Sequence, residues 1–269
     1  MPGCRQSSNL LLAGGLLFVG SPGVALAEIA MVKVGPKPER MSLLRSGSHR
    51  YLRYTVKDGK RVAHDIWNRT VSFEMHDGRR LLHITQRWDE VGVAPGGTQL
   101  VEQDSWFDPT NLRPLTHVRR VTVDGRITVA GYRFLGDRAV GLTDLPENQR
   151  KDFVLTYPET PFNFEYDMEL IQTLPLRAGY EANIIFYDAG IDKQADRYTF
   201  KVAGSDSIPG WDGRPIQCWL ITADYNTGVV QSRWWVDKKS QVVVREESNR
   251  DDGSIFVKTL LSPEAKDPK

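Results

Sequence analysis

Histidines and carboxylates are the residues of this chain that could transfer protons or bind a metal ion. The sequence has five histidines, and no two of them are two or four positions apart, so no local metal-ligand spacing exists. The motifs H-E-x-x-H, G-x-S-x-G, S-x-x-K, the P-loop and C-x-x-C are absent after residue 27. The sequence therefore assigns no catalytic residue, no metal site and no cofactor. An exported hydrolase is an alternative only if His64, His83 or His117 meets a carboxylate such as Asp65 or Asp104 in space.

One cysteine, Cys218, remains once residues 1–27 are set aside, so an intrachain disulfide is excluded. It lies in an alternating apolar run beside Ile216 and Leu220. A reactive cysteine needs a positively charged and partly exposed setting, which these neighbours do not provide. The pattern favours a buried, inert thiol.

Tryptophans are more informative than the ionisable residues. Adjacent residues of a strand face opposite sides of a sheet, so Trp234 and Trp235 must do so, and Trp234 is expected in the core because Val236 shares its side. The second face needs a cover. A helix predicted at 165–173 is the favoured cover, and a lipidic ligand or another protein is the alternative. The predicted ligand-binding residues are Trp106, Trp219, Trp235 and Tyr225.

Short β-rich runs separated by turn residues dominate the chain. Between Gly213 and Leu261, four such runs are divided by turns rich in Gly, Asn and Asp, which predicts an antiparallel meander. Glu165–Thr173 has apolar residues at helical spacing and lies between Pro161 and Pro175. The whole pattern predicts about a dozen strands and one clear helix. The predicted fold is mainly β: a large curved antiparallel sheet or open barrel with one or more short helices packed on it.

The first 27 residues have the pattern of a cleavable signal peptide, with Arg5, the apolar run Leu10–Gly20 and an A-x-A site at Ala25–Ala27. The apolar run is too short to span a bilayer. We therefore expect export to the periplasm and no transmembrane segment after signal cleavage. The remaining chain is predicted to comprise an extended lead-in (28–45), a single β-rich domain (46–262) and a C-terminal tail (263–269).

The net charge of the chain argues against two classes of function. The chain has 35 basic and 34 acidic residues, and removing Arg5 with the signal peptide leaves 34 of each. A net charge of zero disfavours a nucleic-acid-binding protein, which needs a basic excess. It equally disfavours a polybasic membrane-surface role.

Several stretches resemble known families. Arg233–Leu261 has an apolar strand ending in W-V-D, a further strand, a D-G turn and a last strand, and is similar to the closing strands of bacterial lipoprotein-carrier (LolA/LolB)-like domains. The longer pattern resembles the exported domain-of-unknown-function family DUF3108 in Asp108–Pro114, Tyr166–Gly179 and Tyr198–Leu261. The resemblance implies a curved antiparallel sheet wrapped as an open barrel around one or more short helices. In lipoprotein carriers the concave face holds acyl chains. No binding or catalytic residue transfers from either family.

Three functions fit these patterns. The leading hypothesis is an exported periplasmic, non-enzymatic binding or envelope-maintenance protein that holds a lipid or a lipoprotein acyl chain on a concave apolar sheet face. The first alternative is a structural or protein-interaction module without a ligand cavity. The second is the exported hydrolase with a site assembled from separate strands. The sequence leaves the oligomeric state open.

Overall fold

The structure, a computed structural model, describes residues 29–90, 99–189 and 193–262. The predicted signal peptide and C-terminal tail therefore lie outside the described residues. The strands, in chain order, are β1 (Ala30–Val32), β2 (Gly47–Lys57), β3 (Lys60–His76), β4 (Arg79–Glu90), β5 (Gln99–Phe107), β6 (Pro114–Val123), β7 (Arg126–Phe134), β8 (Arg138–Gly141), β9 (Val154–Thr156), β10 (Phe162–Asn163), β11 (Glu181–Tyr187), β12 (Asp196–Pro209), β13 (Pro215–Ala223), β14 (Ser232–Asp237), β15 (Val243–Asn249) and β16 (Ile255–Leu260). Helix α1 spans Asp167–Gln172, and short 3₁₀ helices span Met41–Leu43 and Phe164–Tyr166.

Tight hairpins join many neighbouring strands. The pairs Asp58-Gly59, Asp77-Gly78 and Asp124-Gly125 all have positive φ angles, from 49° to 76°. This backbone conformation matches the right-handed twist of the flanking strands, and Asp-Gly is a favoured sequence for it. The Asp-Gly pairs therefore specify these three turns locally.

The strands of the described residues form one sixteen-stranded sheet in the order β1-β11-β12-β13-β14-β15-β16-β2-β3-β4-β5-β6-β7-β8-β9, with β10 also paired to β11. Pairing is antiparallel except at β1 and β10, which run parallel to β11. Neither of these two strands was predicted, because segments of two or three residues are too short to show an alternating pattern. β14 begins at Ser232, after the apolar residues Val229 and Val230.

Curvature turns the sheet into an open barrel. The register shifts between Arg53 and Tyr54 and between Val202 and Gly204, and such irregularities bend a strand and increase its twist. The bending brings the end of β7 to β11, where Phe134 packs edge-on against Tyr187 with ring centroids 6.3 Å apart. Strand hydrogen bonds do not close this seam within the described ranges. The predicted fold class is confirmed, with a mixed sheet in place of a wholly antiparallel one.

The predicted helix packs on the concave face. The Asn163 side chain accepts a hydrogen bond from Glu165 N at 3.1 Å and so caps the 3₁₀ turn that leads into α1. Five successive residues of α1, from Asp167 to Ile171, are buried. The Tyr166 hydroxyl donates to Leu112 O at 2.6 Å, which ties the helix to the loop after β5. The sheet therefore has its concave side covered by this chain's own helix.

The two adjacent tryptophans face opposite sides, as predicted. Trp234 is completely buried in the main core, while Trp235 lies in a separate cluster with Cys218 and Val244 on the other face. Trp235 is 9% exposed. The assignment of Trp234 to the core is confirmed.

Candidate functional site

The interior of the barrel contains a buried ion pair. Arg69, on β3, forms two hydrogen bonds with Glu169 of α1, and both side chains are almost fully buried. Arg69 also donates to Gln86 Oε1 at 2.9 Å, and Gln86 Nε2 donates to Glu165 O at 2.7 Å. Because both charges are paired and hydrogen-bonded, the ion pair fixes the helix against the sheet. This part of the concave face is therefore polar and is occupied by side chains of α1 and the strands facing it.

A second charged group lies at the other side of α1. Lys258 Nζ is 2.7 Å from Glu246 Oε2, and both residues lie close to the buried Asp167. Burial raises the pKa of Asp167 to about 7, with Lys258 opposing and Glu246 reinforcing the shift. Asp167 Oδ1 accepts a hydrogen bond from Met168 N at 2.7 Å. The helix therefore carries a carboxyl group that can hold its proton near neutral pH.

The four predicted ligand-binding residues are not brought together. Trp219 packs against the main core with Lys238 Nζ 4.2 Å from its ring centroid, and Tyr225 joins an aromatic cluster in the same core. Trp235 donates to Asp206 Oδ2 at 2.7 Å on the outer face. Trp106 lies on β5, which is six strand positions from β14, or roughly 29 Å along the sheet. They do not form one site.

Trp106 instead lies in a groove of about 720 Å³ on the outer face of the sheet. The groove runs over β4 to β7 and under the loop that follows β8. A side-chain carbon added at Gly131 would come within 2.8 Å of Leu145, so the missing side chain lets this loop approach the sheet closely. The apolar part of the wall consists of Leu81, Leu115, Val118, Phe134, Leu135, Leu142 and Leu145.

Two imidazoles stack on Trp106. The ring centroid of His83 is 3.9 Å from that of Trp106, with planes 5° apart, and His76 lies at 4.3 Å. His83 Nε2 is 2.9 Å from Asp104 Oδ2, and Nδ1 is 3.4 Å from Glu74 Oε1. Burial opposes the charged imidazole, but the hydrogen bond to Asp104 and the charges of both carboxylates raise the pKa of His83 above its ordinary value. The cluster favours a cationic imidazole against the indole.

The histidines and carboxylates considered for a hydrolase site have different partners in the structure. His64 binds Thr55 Oγ1 at 2.7 Å, and Asp65 is held by two hydrogen bonds of 2.6 Å from Arg53. His117 is fully buried, with Nδ1 2.8 Å from Ser105 Oγ. His83 and Asp104 do meet, as that hypothesis required.

Neither ring nitrogen of His83 is free in the structure. Nε2 faces Asp104 and Nδ1 faces Glu74. In the described parts of the chain, no group of three or more His, Cys, Asp or Glu side chains has an arrangement suited to a metal ion. Nor does any helix of those parts have the length and hydropathy to cross a membrane.

Sequence reasoning missed most of the groove. His76 reads as an exposed turn residue, and Leu142 and Leu145 fall in a stretch without regular alternation. The available signal was Gly131, because an isolated glycine within a strand indicates close approach by another part of the chain. The sequence does not indicate which segment of the chain approaches Gly131.

Comparison with known proteins identifies a family and related folds. A family model described as "Protein of unknown function (DUF3108)" matches residues 51–260. A solved structure of a β-barrel-like DUF1849 protein from Brucella abortus has 11% identity and a TM-score of 0.53, covering 81% of this chain and 97% of that one. At 11% identity, the similarity between the two proteins is evidence of a similar fold. No curated protein matches the chain.

Two further solved structures match more weakly. A DUF1329 family protein from Desulfovibrio piger has 11% identity and a TM-score of 0.31, covering 83% of this chain and 88% of that one. The hypothetical lipoprotein YmcC from Escherichia coli has 13% identity and a TM-score of 0.24, covering 86% and 90%.

Proposed function

The chain belongs to the DUF3108 family, and we propose that it is an exported, non-enzymatic binding protein of the bacterial envelope. Export to the periplasm is supported by Arg5, the apolar run Leu10–Gly20 and the A-x-A site at Ala25–Ala27. The absence of an excess of basic residues supports a ligand other than nucleic acid.

The ligand we propose is an apolar chain such as a lipid or a lipoprotein acyl chain, bound in the groove around Trp106. The observation that carries this proposal is the groove itself. Its volume of about 720 Å³ is within the range of ligand pockets, and one wall is built from leucine side chains. The concave face is a weaker candidate because α1 and the ion pair of Arg69 with Glu169 fill part of it.

Non-enzymatic binding agrees better with the groove than hydrolysis does. His83 is hydrogen-bonded at both nitrogens and stacked on Trp106, so it stabilises the groove and presents no free base. A structural module is less favoured, because such a module has no need of an open groove with a leucine wall.

Titration of the delipidated full mature chain with a fluorescent fatty acid tests the proposal. We expect saturable binding that weakens by about tenfold or more in Trp106→Ala, since a central aromatic contact commonly contributes over 1.4 kcal/mol. Trp211→Ala is the matched control, because Trp211 is 48% exposed and does not line the groove. It should bind as the wild type does.

Two negative results together would overturn the lipid assignment. The fatty acid would show no saturable binding, and mass spectrometry would find no lipid in natively purified protein. Equal weakening by Trp106→Ala and Trp211→Ala would place any lipid outside the groove. Hydrolysis of chromogenic esters by the wild type, lost in His83→Gln, would contradict the non-enzymatic assignment.

A further inference from the structure

A second pocket, of about 400 Å³, lies at the mouth of the barrel, where the lead-in, α1 and the β14–β15 turn meet. Its polar lining includes Arg45 at the end of the lead-in, the following Ser46, His49 on β2, and Lys239 and Ser240 in the turn. Glu169 and Gln172 of α1 form the inner end, and Leu43, Val71 and Val242 are its apolar part.

The walls of this pocket are fixed by two glutamines. Gln172 Nε2 donates to Leu43 O at 3.2 Å and to Ser240 O at 3.1 Å, which joins α1 to both flanking segments. Gln241 Nε2 donates to Leu174 O at 2.8 Å, and its Oε1 accepts from Arg40 Nη1 at 2.6 Å. The backbone positions that carry the pocket's charged side chains are therefore held in place, as a binding site requires.

The charges around the pocket are unbalanced. Arg45 and Lys239 are exposed, and neither side chain has a hydrogen bond or ion pair with any other described residue. The one acidic side chain in the lining, Glu169, is neutralised by Arg69 behind it. Two unpaired cations thus border one cavity, and Ser46, also without a partner in the described chain, adds a hydroxyl donor.

The imidazole of His49 completes the set. It makes no hydrogen bond within the described residues, and burial lowers its pKa, with Glu169 acting in the opposite direction and Arg69 in the same one. Arg45 and Lys239 line the same cavity, and positive charge near an imidazole disfavours its protonated form. A bound anion would instead favour the protonated, charged form of His49.

We propose that this pocket binds a phosphate group. Two cations, a hydroxyl and an imidazole around a small rigid cavity match the charge and the hydrogen-bond acceptors of a phosphate monoester. The group could belong to a soluble metabolite or to a lipid headgroup, and the two sources share this chemistry. The proposal is independent of the groove on the outer face.

Calorimetric titration of the full chain with inorganic phosphate tests the site. We expect saturable binding that weakens by at least about tenfold in the double variant R45Q/K239Q, because that variant removes both unpaired cations that border the cavity. The matched control is K60Q/R126Q, which removes one lysine and one arginine at the far end of the strands. The control should retain affinity within about twofold. Thermal unfolding establishes that both variants are folded.

Two further measurements separate a built site from general attraction. Sulfate, whose charge is constant between pH 6 and 8, should bind more tightly at pH 6, and His49→Asn should remove that dependence. Glycerol 3-phosphate in solution and flotation with vesicles containing phosphatidic acid, against phosphatidylcholine alone, distinguish a soluble ligand from a headgroup. Trp106→Ala should leave phosphate binding unchanged even if the groove proposal fails. Absence of saturable phosphate binding, or equal weakening in both double variants, would overturn the proposal.

Discussion

Replacing Asp167 by Asn should stabilise the protein at neutral and alkaline pH. The carboxyl group is buried on α1, and burial raises its pKa from 3.8 to about 7. In the unfolded chain this group loses its proton near pH 4, whereas in the folded chain it keeps the proton until about pH 7. The unfolded state therefore binds fewer protons between these values, and stability falls as pH rises through that window.

The size of the effect follows from the pKa difference. About 3 pKa units correspond to about 4 kcal/mol, which is the upper limit for the gain of Asp167→Asn above pH 7. Below pH 4 the variant and the wild type should have similar free energies of unfolding, because asparagine and protonated aspartate have the same charge. Asparagine also keeps the oxygen that accepts from Met168 N.

Urea unfolding of both proteins from pH 4 to pH 8.5 measures this difference. The exposed Asp251→Asn is the control that removes the same charge from a hairpin turn. A free-energy difference for Asp167→Asn that does not change with pH would refute the reasoning. So would a variant that is less stable than the wild type at pH 8, because it would mean that the ionised carboxylate is stabilised by Lys258.

Three other predictions concern packing. Trp234→Ala should cost roughly 3–5 kcal/mol of stability, because Trp234 is fully buried in the main core, and Trp235→Ala should cost less. Thermal unfolding of both variants at equal concentration measures the two losses, and equal losses would contradict this prediction. Gly131→Ala should push Leu145 from the groove wall, lowering the free energy of unfolding by about 1–3 kcal/mol and weakening fatty-acid binding, and unchanged binding would mean that this loop does not shape the groove. Cys218 should resist alkylation by iodoacetamide in the native protein and react after unfolding in urea, since burial raises the pKa of its thiol to about 12. Mass spectrometry measures the labelling, and rapid labelling of the native protein would exclude an inert thiol.

The elements were predictable from the sequence because their signals are local. Asp-Gly pairs specify turns through their backbone preferences, and Glu165–Thr173 combines helical spacing with flanking prolines. The strand alternation around Trp234 was enough to assign it to the core. These signals involve residues within a few positions of one another.

The groove and the interior could not be predicted because their contacts join distant parts of the chain. Trp106 lies opposite His83 only in the register that β4 and β5 adopt, and a shift of one residue would move it to the other face. Arg69 and Glu169 are 100 positions apart, and neither stretch indicates that the other neutralises it. From the sequence, polar residues in strands are therefore expected to be exposed, although some of them, such as Arg69, are buried and paired with a distant residue.

The pairing of β16 with β2 has a consequence for the order of assembly. β2 to β9 form a continuous run of neighbours, but the second partner of β2 is β16, the strand furthest along the described chain. Until residues 255–260 have been synthesised, one edge of β2 has unpaired backbone groups that can pair with another chain. Contacts of such long sequence separation also form slowly. Shortening the chain before residue 255 should therefore leave this edge of β2 open and lead to aggregation.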